Sequence, residues 1–427
     1  MNIFMNKKLA LVAGCIVSFN LFAATELPNP TALQDVLSFQ HKHQQIEVNK
    51  KEIDIINLTA DTIKSENDLS VNLFTQSKLF EQAEMAGNIN NPENSAILSF
   101  DKKLWDFGKN DSKINQLLSS IERKKIENQI INEKHKIELI ETFYKAVLSD
   151  LEFIWANEKM AIAFIRADRA KQRMELGEVN EVDYLKLETV NQEARNLRFR
   201  AQQKQKATRT KLANLLGIPD MPPNDIVKPR VDIPEKLEQR TLEELWIEAK
   251  NNNHDILLKK QDIIIENDKI QATLNEYNPT LSGNVRGYWT NNDTSTSHPL
   301  STGLSLNIPL HQGNKTQSKV NLIKANIEKI EADIKVIETE LLNSLIDLQE
   351  KQAQLFYDYQ EWKSKENYRE VYLDKSRAKY ELEIASDLGD AMTESSKVKL
   401  EKTKIELEWD LVKRKIQFLT NTQESNK

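Results

Sequence analysis

Two periodicities run along this chain. Ile323, Ile330 and Ile337 recur every seven residues, and Ile327, Ile334, Leu341, Leu348 and Leu355 form a second series four residues on. That is the a/d seam of a helix packed lengthwise on other helices. An earlier stretch does the same with Ile130, Ile137, Tyr144 and Leu151, joined by Ile140, Val147 and Ile154. Ahead of each seam the period falls to two. Leu281, Gly283, Val285, Gly287 and Trp289 alternate with Thr280, Ser282, Asn284, Arg286 and Tyr288; Leu304, Leu306, Ile308 and Leu310 alternate with Gly303, Ser305, Asn307 and Pro309. In the earlier half Leu69, Val71 and Leu73 alternate with Ser70 and Asn72, and Ala96, Leu98 and Phe100 with Ile97, Ser99 and Asp101. Such strands carry an apolar row on one face and a small polar row on the other. The pattern predicts strands at about 68–76, 95–104, 279–290 and 301–310, and long helices at about 109–176, 180–216, 314–382 and 387–420.

The predicted elements come in two matching sets. Leu98-Ser99-Phe100-Asp101 answers Leu304-Ser305-Leu306-Asn307 at an offset of 206 (304 minus 98), and Ser112-Lys113-Ile114 answers Ser318-Lys319-Val320. The starts are alike too: Thr31-Ala32-Leu33-Gln34 resembles Thr241-Leu242-Glu243-Glu244. A period this long implies a duplicated domain, with structural repeats at 24–216 and 237–427. Between them, residues 217–236 hold Pro219, Pro222, Pro223, Pro229 and Pro234, a linker that no helix can enter. The fold class is mostly α with a small β part, a duplicated strand–strand–long-helix-hairpin unit.

No proline occurs from Lys109 to Leu176, so that helix would be roughly 100 Å long. It must run along a fibre, a bundle or a tube. The strands have two readings. One face of an ordinary antiparallel sheet packs on a protein core; alternatively a bilayer covers it. The helices beside the strands already use their apolar stripes on one another, which favours lipid. A sheet edge cannot stay open in hydrocarbon, and four strands are too few to close a barrel. Several copies must then join. Two would give eight strands and three would give twelve, and a water-filled lumen favours three or more.

The first residues fix the export route. Lys7 and Lys8, an apolar run from Leu9 to about Phe19, and Ala23-Ala24 form a secretory signal at 1–23. Val12-Ala13-Gly14-Cys15 also fits a lipoprotein leader at 1–14, which would make Cys15 a lipidation site; both readings stand. Cys15 is the only cysteine, so no disulfide staples the exported chain. The net charge is −6, or −8 once the two leader lysines are gone (−6 minus 2), and nothing in it indicates a nucleic-acid partner. Charged residues make up 29% while Gly and Pro number only 10 and 11 among 427 residues, as long helices require. No second run is long enough for a membrane helix, which excludes a helical inner-membrane transporter.

Taken together, the duplicated unit, the Leu98-Ser99-Phe100…Leu104-Trp105-Asp106-Phe107-Gly108-Lys109 and Leu304-Ser305-Leu306-Asn307-Ile308-Pro309-Leu310…Gly313 segments, and the Arg173-Met174-Glu175-Leu176-Gly177-Glu178-Val179…Asp183 turn resemble the TolC family of outer-membrane efflux proteins. The resemblance spans about Thr31 to Leu419. It implies a homotrimer with a twelve-strand β-barrel in the outer membrane, continuing into a coiled-coil α-helical tunnel through the periplasm. It implies a periplasmic adaptor (membrane fusion protein) and an inner-membrane pump as partners, in tripartite efflux or type I secretion. Ser282, Asn284, Arg286, Ser305 and Asn307 would line the lumen; Leu281, Val285, Leu304, Leu306 and Ile308 would face lipid.

The same resemblance places the closed periplasmic end at the helix tips. Gly177 suits a left-handed turn. Asp183, Asp387 and Asp390 are gate candidates, since a ring of carboxylates would attract cations; equally, they suit helix capping. At the 206-residue offset Glu383 replaces Gly177, Gly389 stands where Asp183 is, and Met392 takes a position often acidic in relatives. Phe74, Trp105, Phe107, Tyr277, Tyr288 and Trp289 suit either interfacial girdles or plain packing, and the loops 78–94 and 291–299 would lie outside the cell. The six histidines are scattered and no metal spacing, nucleophile elbow or phosphate loop is present, so neither an enzyme nor a cofactor is expected. The competing class is an exported coiled-coil structural or adhesive protein without a pore.

Overall fold

The computed structural model describes residues 27–39, 44–78, 93–291, 299–311, 313–382 and 388–422. The leader with Cys15, both strand-connecting loops and Asp387 lie outside the described residues. The elements are α1 (Leu33–Ser38), α2 (Gln44–Ser65), β1 (Ser70–Lys78), β2 (Glu93–Trp105), α3 (Lys109–Glu175), α4 (Glu181–Leu215), α5 (Leu242–Asn252), α6 (His254–Asn275), β3 (Thr280–Thr290), β4 (Leu300–Asn307), α7 (Lys315–Glu381) and α8 (Gly389–Thr420). The protein is mostly helical with one small antiparallel sheet, in the order β1-β2-β3-β4. Helices α3 and α7 have 67 residues each, about 100 Å at 1.5 Å per residue. No described helix is long and apolar enough to cross a membrane.

The long helices pack where the heptads predict, with one drift. Ile323, Leu341 and Leu355 of α7 are buried, and so are Ile130, Ile140, Tyr144 and Val147 of α3. Ile154, expected in the same seam, is exposed. A straight helix slips about 20° per heptad against a 3.5-residue repeat, so a strict series leaves the contact face unless the helices supercoil. The seam passes instead to Ala156, Ala163, Ala167 and Ala170, which are buried alongside Ala194 and Ala201 of α4.

The large side chains gather at mid-height. One cluster joins Val36, Leu139, Phe143, Val147, Leu212 and Leu407; a second holds Leu245, Ile256, Leu341 and Leu345; a third holds Leu355, Phe356, Ile405 and Trp409. The proline-bearing linker wraps this level. Thr31 accepts from Val227 N and donates to Asp225 O, both at 2.9 Å, which ties the linker to the start of the first half. Val231, Ile233 and Leu237 then pack on α7 and α8. Asn253 joins helix ends: its Nδ2 donates to Leu419 O of α8 at 3.0 Å, and its Oδ1 accepts from Asp255 N and Ile256 N at the start of α6. Without that side chain the last carbonyls of α8 and the first N–H groups of α6 would lose partners.

Candidate functional site

The sheet has two chemically different faces. Its register sets Leu281 opposite Leu306, Gly283 opposite Leu304 and Val285 opposite both Phe100 and Thr302. Val71 opposes Phe100 and Leu73 opposes Leu98. These residues share one face, and no described element covers it: Leu73 is 69% exposed and Leu304 76%. Ile308 falls one residue past the end of β4, where Pro309 has no N–H to extend the ladder. Between Lys103 and Trp105 the register shifts by one residue, and this bulge brings Trp105 opposite Leu281.

On the other face Ser282 opposes Ser305, Thr280 opposes Asn307, and Arg286 opposes both Ser99 and Ser301. The Arg286 guanidinium lies 3.8 Å from the Asp101 carboxylate, so the polar face carries a balanced pair. Asn284 leans over Gly303: a Cβ there would sit 2.6 Å from Asn284 Oδ1, which makes glycine the residue that lets this amide lie flat across the strands. The outer edges of β1 and β4 pair with no other strand among the described residues.

The strand-to-helix turn is built by residues that only the structure identifies. The Asp106 carboxylate is buried and accepts from Gly108 N and Asn110 N, both at 3.1 Å. It caps α3 and places a negative charge at the helix start. Gly108 adopts φ +83° to make the turn. An Asp two residues before a Gly that opens a helical run was the available signal.

At the far end of α3, Gly177 has φ +77°. Its N–H donates to Met174 O, and Glu178 N to Arg173 O, both at 2.9 Å, closing the helix with a left-handed cap. Asn180 caps α4 by accepting from Asp183 N at 2.8 Å, and the Asp183 carboxylate accepts from Asn180 Nδ2 at 2.7 Å. Asp390 is in the first turn of α8, where no side chain makes the cap hydrogen bond. Its carboxylate instead pairs with Arg166 of α3 at 3.0 Å, linking the two hairpins near their tips.

Further up, α3 and α8 are joined by a polar contact. Tyr144 Oη donates to the Asp410 carboxylate, which also accepts from Arg414 Nε at 2.5 Å. Burial, then the neighbouring Asp410 charge, pushes the Tyr144 hydroxyl well above the usual tyrosine range, so it stays a donor. Lys402 is held between Glu366 and Glu406; burial pulls its pKa down, but these carboxylates outweigh that and raise it. Lys228 of the linker reaches the same Glu406 at 2.7 Å.

Two hairpins, each with one arm of 67 residues and a return arm about half as long, crowned by a sheet with one bare apolar face, make the fold that the resemblance to the TolC family of outer-membrane channels implies. No family model matches the sequence, and no curated protein matches it. Solved structures do. The chain is similar to a membrane protein from Pseudomonas aeruginosa, with a TM-score of 0.69 and 15% identity over 91% of this chain and 90% of that one. It is similar to CusC (TM-score 0.68, 11% identity, 91% of each chain) and to the CmeC outer membrane channel of Campylobacter jejuni (0.66, 12%, 92% of this chain and 87% of that one). At these identities the likeness is one of fold.

Proposed function

We propose that this chain is one protomer of a trimeric outer-membrane exit duct. Solutes would pass through it from an inner-membrane pump, joined by a periplasmic adaptor, to the exterior. The observation that carries the reading is the bare apolar face of the sheet. Its leucines stand in the open on strands whose outer edges are unpaired. Water is a poor solvent for such a face, and lipid is a good one. Lipid in turn forbids open edges, so β4 of one copy pairs with β1 of the next. Three copies of four strands make a twelve-strand barrel, wider than the eight-strand kind whose interior is filled by side chains. Ser282, Asn284, Arg286, Ser305 and Asn307 then line the lumen, and Leu281, Val285, Leu304 and Leu306 meet lipid.

The halves act as a duplicated unit, α3–α4 and α7–α8 forming the tunnel wall. Asp390, with Asp387 three residues before it in sequence and Asp183 in the first turn of α4, lies at the periplasmic end, where a change in the Arg166 contact alters the opening. The test is assembly and conduction together. Outer-membrane fractions should give a trimer band that dissociates on heating, and the purified trimer should open ion-conducting pores in planar bilayers. A monomer in detergent, or recovery with soluble periplasmic proteins, refutes the duct.

A further inference from the structure

The polar face of the sheet is interrupted at one level. Residues on adjacent strands that oppose each other form rows across the sheet. Asn72, Ser99, Arg286 and Ser301 make one polar row, and Gln76, Ser95 and Thr290 make another. Between them Phe74 opposes Ile97, Ile97 opposes Tyr288, and Tyr288 N donates to Pro299 O at 2.8 Å. Three strands therefore place an apolar or aromatic residue in the same row, and Pro299, one residue ahead of β4, continues it, on the face that is otherwise Ser, Asn, Thr and charge. Cross-strand apolar pairs normally stabilise a sheet on its core side, but this face has no core beneath it. Phe74 is 54% exposed, and among the described residues no other ring packs on it or on Tyr288.

We propose that Phe74, Ile97, Tyr288 and Pro299 form an apolar stripe inside the barrel on which planar aromatic solutes rest in transit. The proposal deepens the duct reading and rests on it. Phe74 and Tyr288 stand two strands apart, about 10 Å, with Ile97 between them. That spacing offers two rings and a flat aliphatic bridge to a fused-ring solute. Strands in a barrel are tilted, so each row climbs obliquely and three copies give three staggered stripes rather than one closed ring. The lumen stays open to water and ions, while an aromatic solute meets apolar contact as it passes. Offset stacking on exposed rings is weak enough to release it.

The experiment uses the full-length trimer in planar bilayers, with ethidium as the planar aromatic probe and tetramethylammonium as the non-aromatic cation. Ethidium should interrupt the wild-type current, and tetramethylammonium should not. Phe74→Ser with Tyr288→Ser should shorten the ethidium interruptions about tenfold at undiminished potassium conductance, two lost ring contacts together being of that order. If the serine pair fails to assemble, Phe74→Leu with Tyr288→Leu removes the rings while keeping apolar volume, and the same shortening is expected. Interruptions of unchanged length in an assembled ring-less variant overturn the stripe alone. Equal shortening by Asn72→Ala, one row away, does so too. A wild-type protein that opens no channel overturns the duct and the stripe with it.

Discussion

The two hairpins match in length and differ in what holds them. Below mid-height α3 meets α4 through alanines, with Ala156, Ala163, Ala167 and Ala170 buried beside Ala194 and Ala201. Small side chains let the helix backbones approach closely along the whole contact. In α7 the last buried residue is Phe356; from there to Glu381 none is buried, and Tyr357, Tyr368, Val371, Tyr372 and Tyr380 stand exposed. Along the same stretch α8 buries Gly389, Ala391 and Val398, and ion pairs tie it to α7: Lys402 with Glu366, and Arg369 with Glu394 at 3.4 Å. One hairpin has closed its own seam, and the other turns its large side chains outward. Helices that bury little are also the ones that open locally at low free energy. In the second hairpin α7 is therefore the arm that leaves its large side chains uncovered below Phe356, and the one most easily moved.

The most damaging way to probe this contrast is to remove the last anchor of the second hairpin. Phe356 packs on Trp409 with ring centroids 6.4 Å apart. Phe356→Ala should destabilise the protein by about 3–5 kcal/mol, seen as a lower unfolding midpoint in detergent. Proteolysis should then cut the 357–381 stretch well before the first hairpin. Cutting at equal rates in both would sink the contrast. A gentler step compares like with like. Ala167→Leu overfills the alanine seam and should cost about 1–3 kcal/mol, whereas Ala378→Leu, at an exposed site on α7, should stay within about 0.5 kcal/mol. Equal effects would mean that the second hairpin is as tightly packed as the first.

Much of this organisation was legible in residue order, for identifiable reasons. A two-residue period is unambiguous when one face is apolar, so all four strands could be placed to within three residues at each end. Heptads of Ile and Leu marked the mid-height cores. The alanine seam was not visible, because alanine suits a solvated helix face as well as a buried one. The Asp106 cap was not visible either, since nothing in a lone Asp-Phe-Gly states which backbone groups its carboxylate meets. The row through Phe74, Ile97 and Tyr288 was hidden for another reason. Each looked like a separate exception to alternation, and only the register between strands aligns them. In sequence Asp390 suits capping and gating alike, and a partner 224 residues away cannot be read from spacing.

At the tip of the first hairpin a smaller effect is expected. Gly177 has φ +77° and open space around the position of a Cβ, so Gly177→Ala meets no clash and pays only for its backbone. That penalty is about 1–2 kcal/mol for an L-residue held in the left-handed region. Amide exchange should accelerate at 174–180 with little change elsewhere. Uniform acceleration along α3 and α4 would show the tip to be part of one cooperative unit with the seam, and would weaken the distinction between a closed hairpin and a loose one.

The smallest effect on stability, and the one closest to function, concerns the contact between the hairpins. Asp390 is 83% exposed and Arg166 35%, so their pair at 3.0 Å is well screened by solvent. Asp390→Asn should leave the unfolding midpoint almost unchanged. If the second hairpin is the mobile one, however, even a weak tie at its tip has leverage, because little else in α7 below Phe356 is buried to resist displacement. The variant should therefore raise open probability in planar bilayers, most at low ionic strength, where the wild-type pair is strongest, and hardly at all near 1 M salt, where the screening length is about 3 Å. Arg166→Gln should act in the same direction, and the two changes together should do no more than either alone. Additive effects would show that the two residues act at separate contacts.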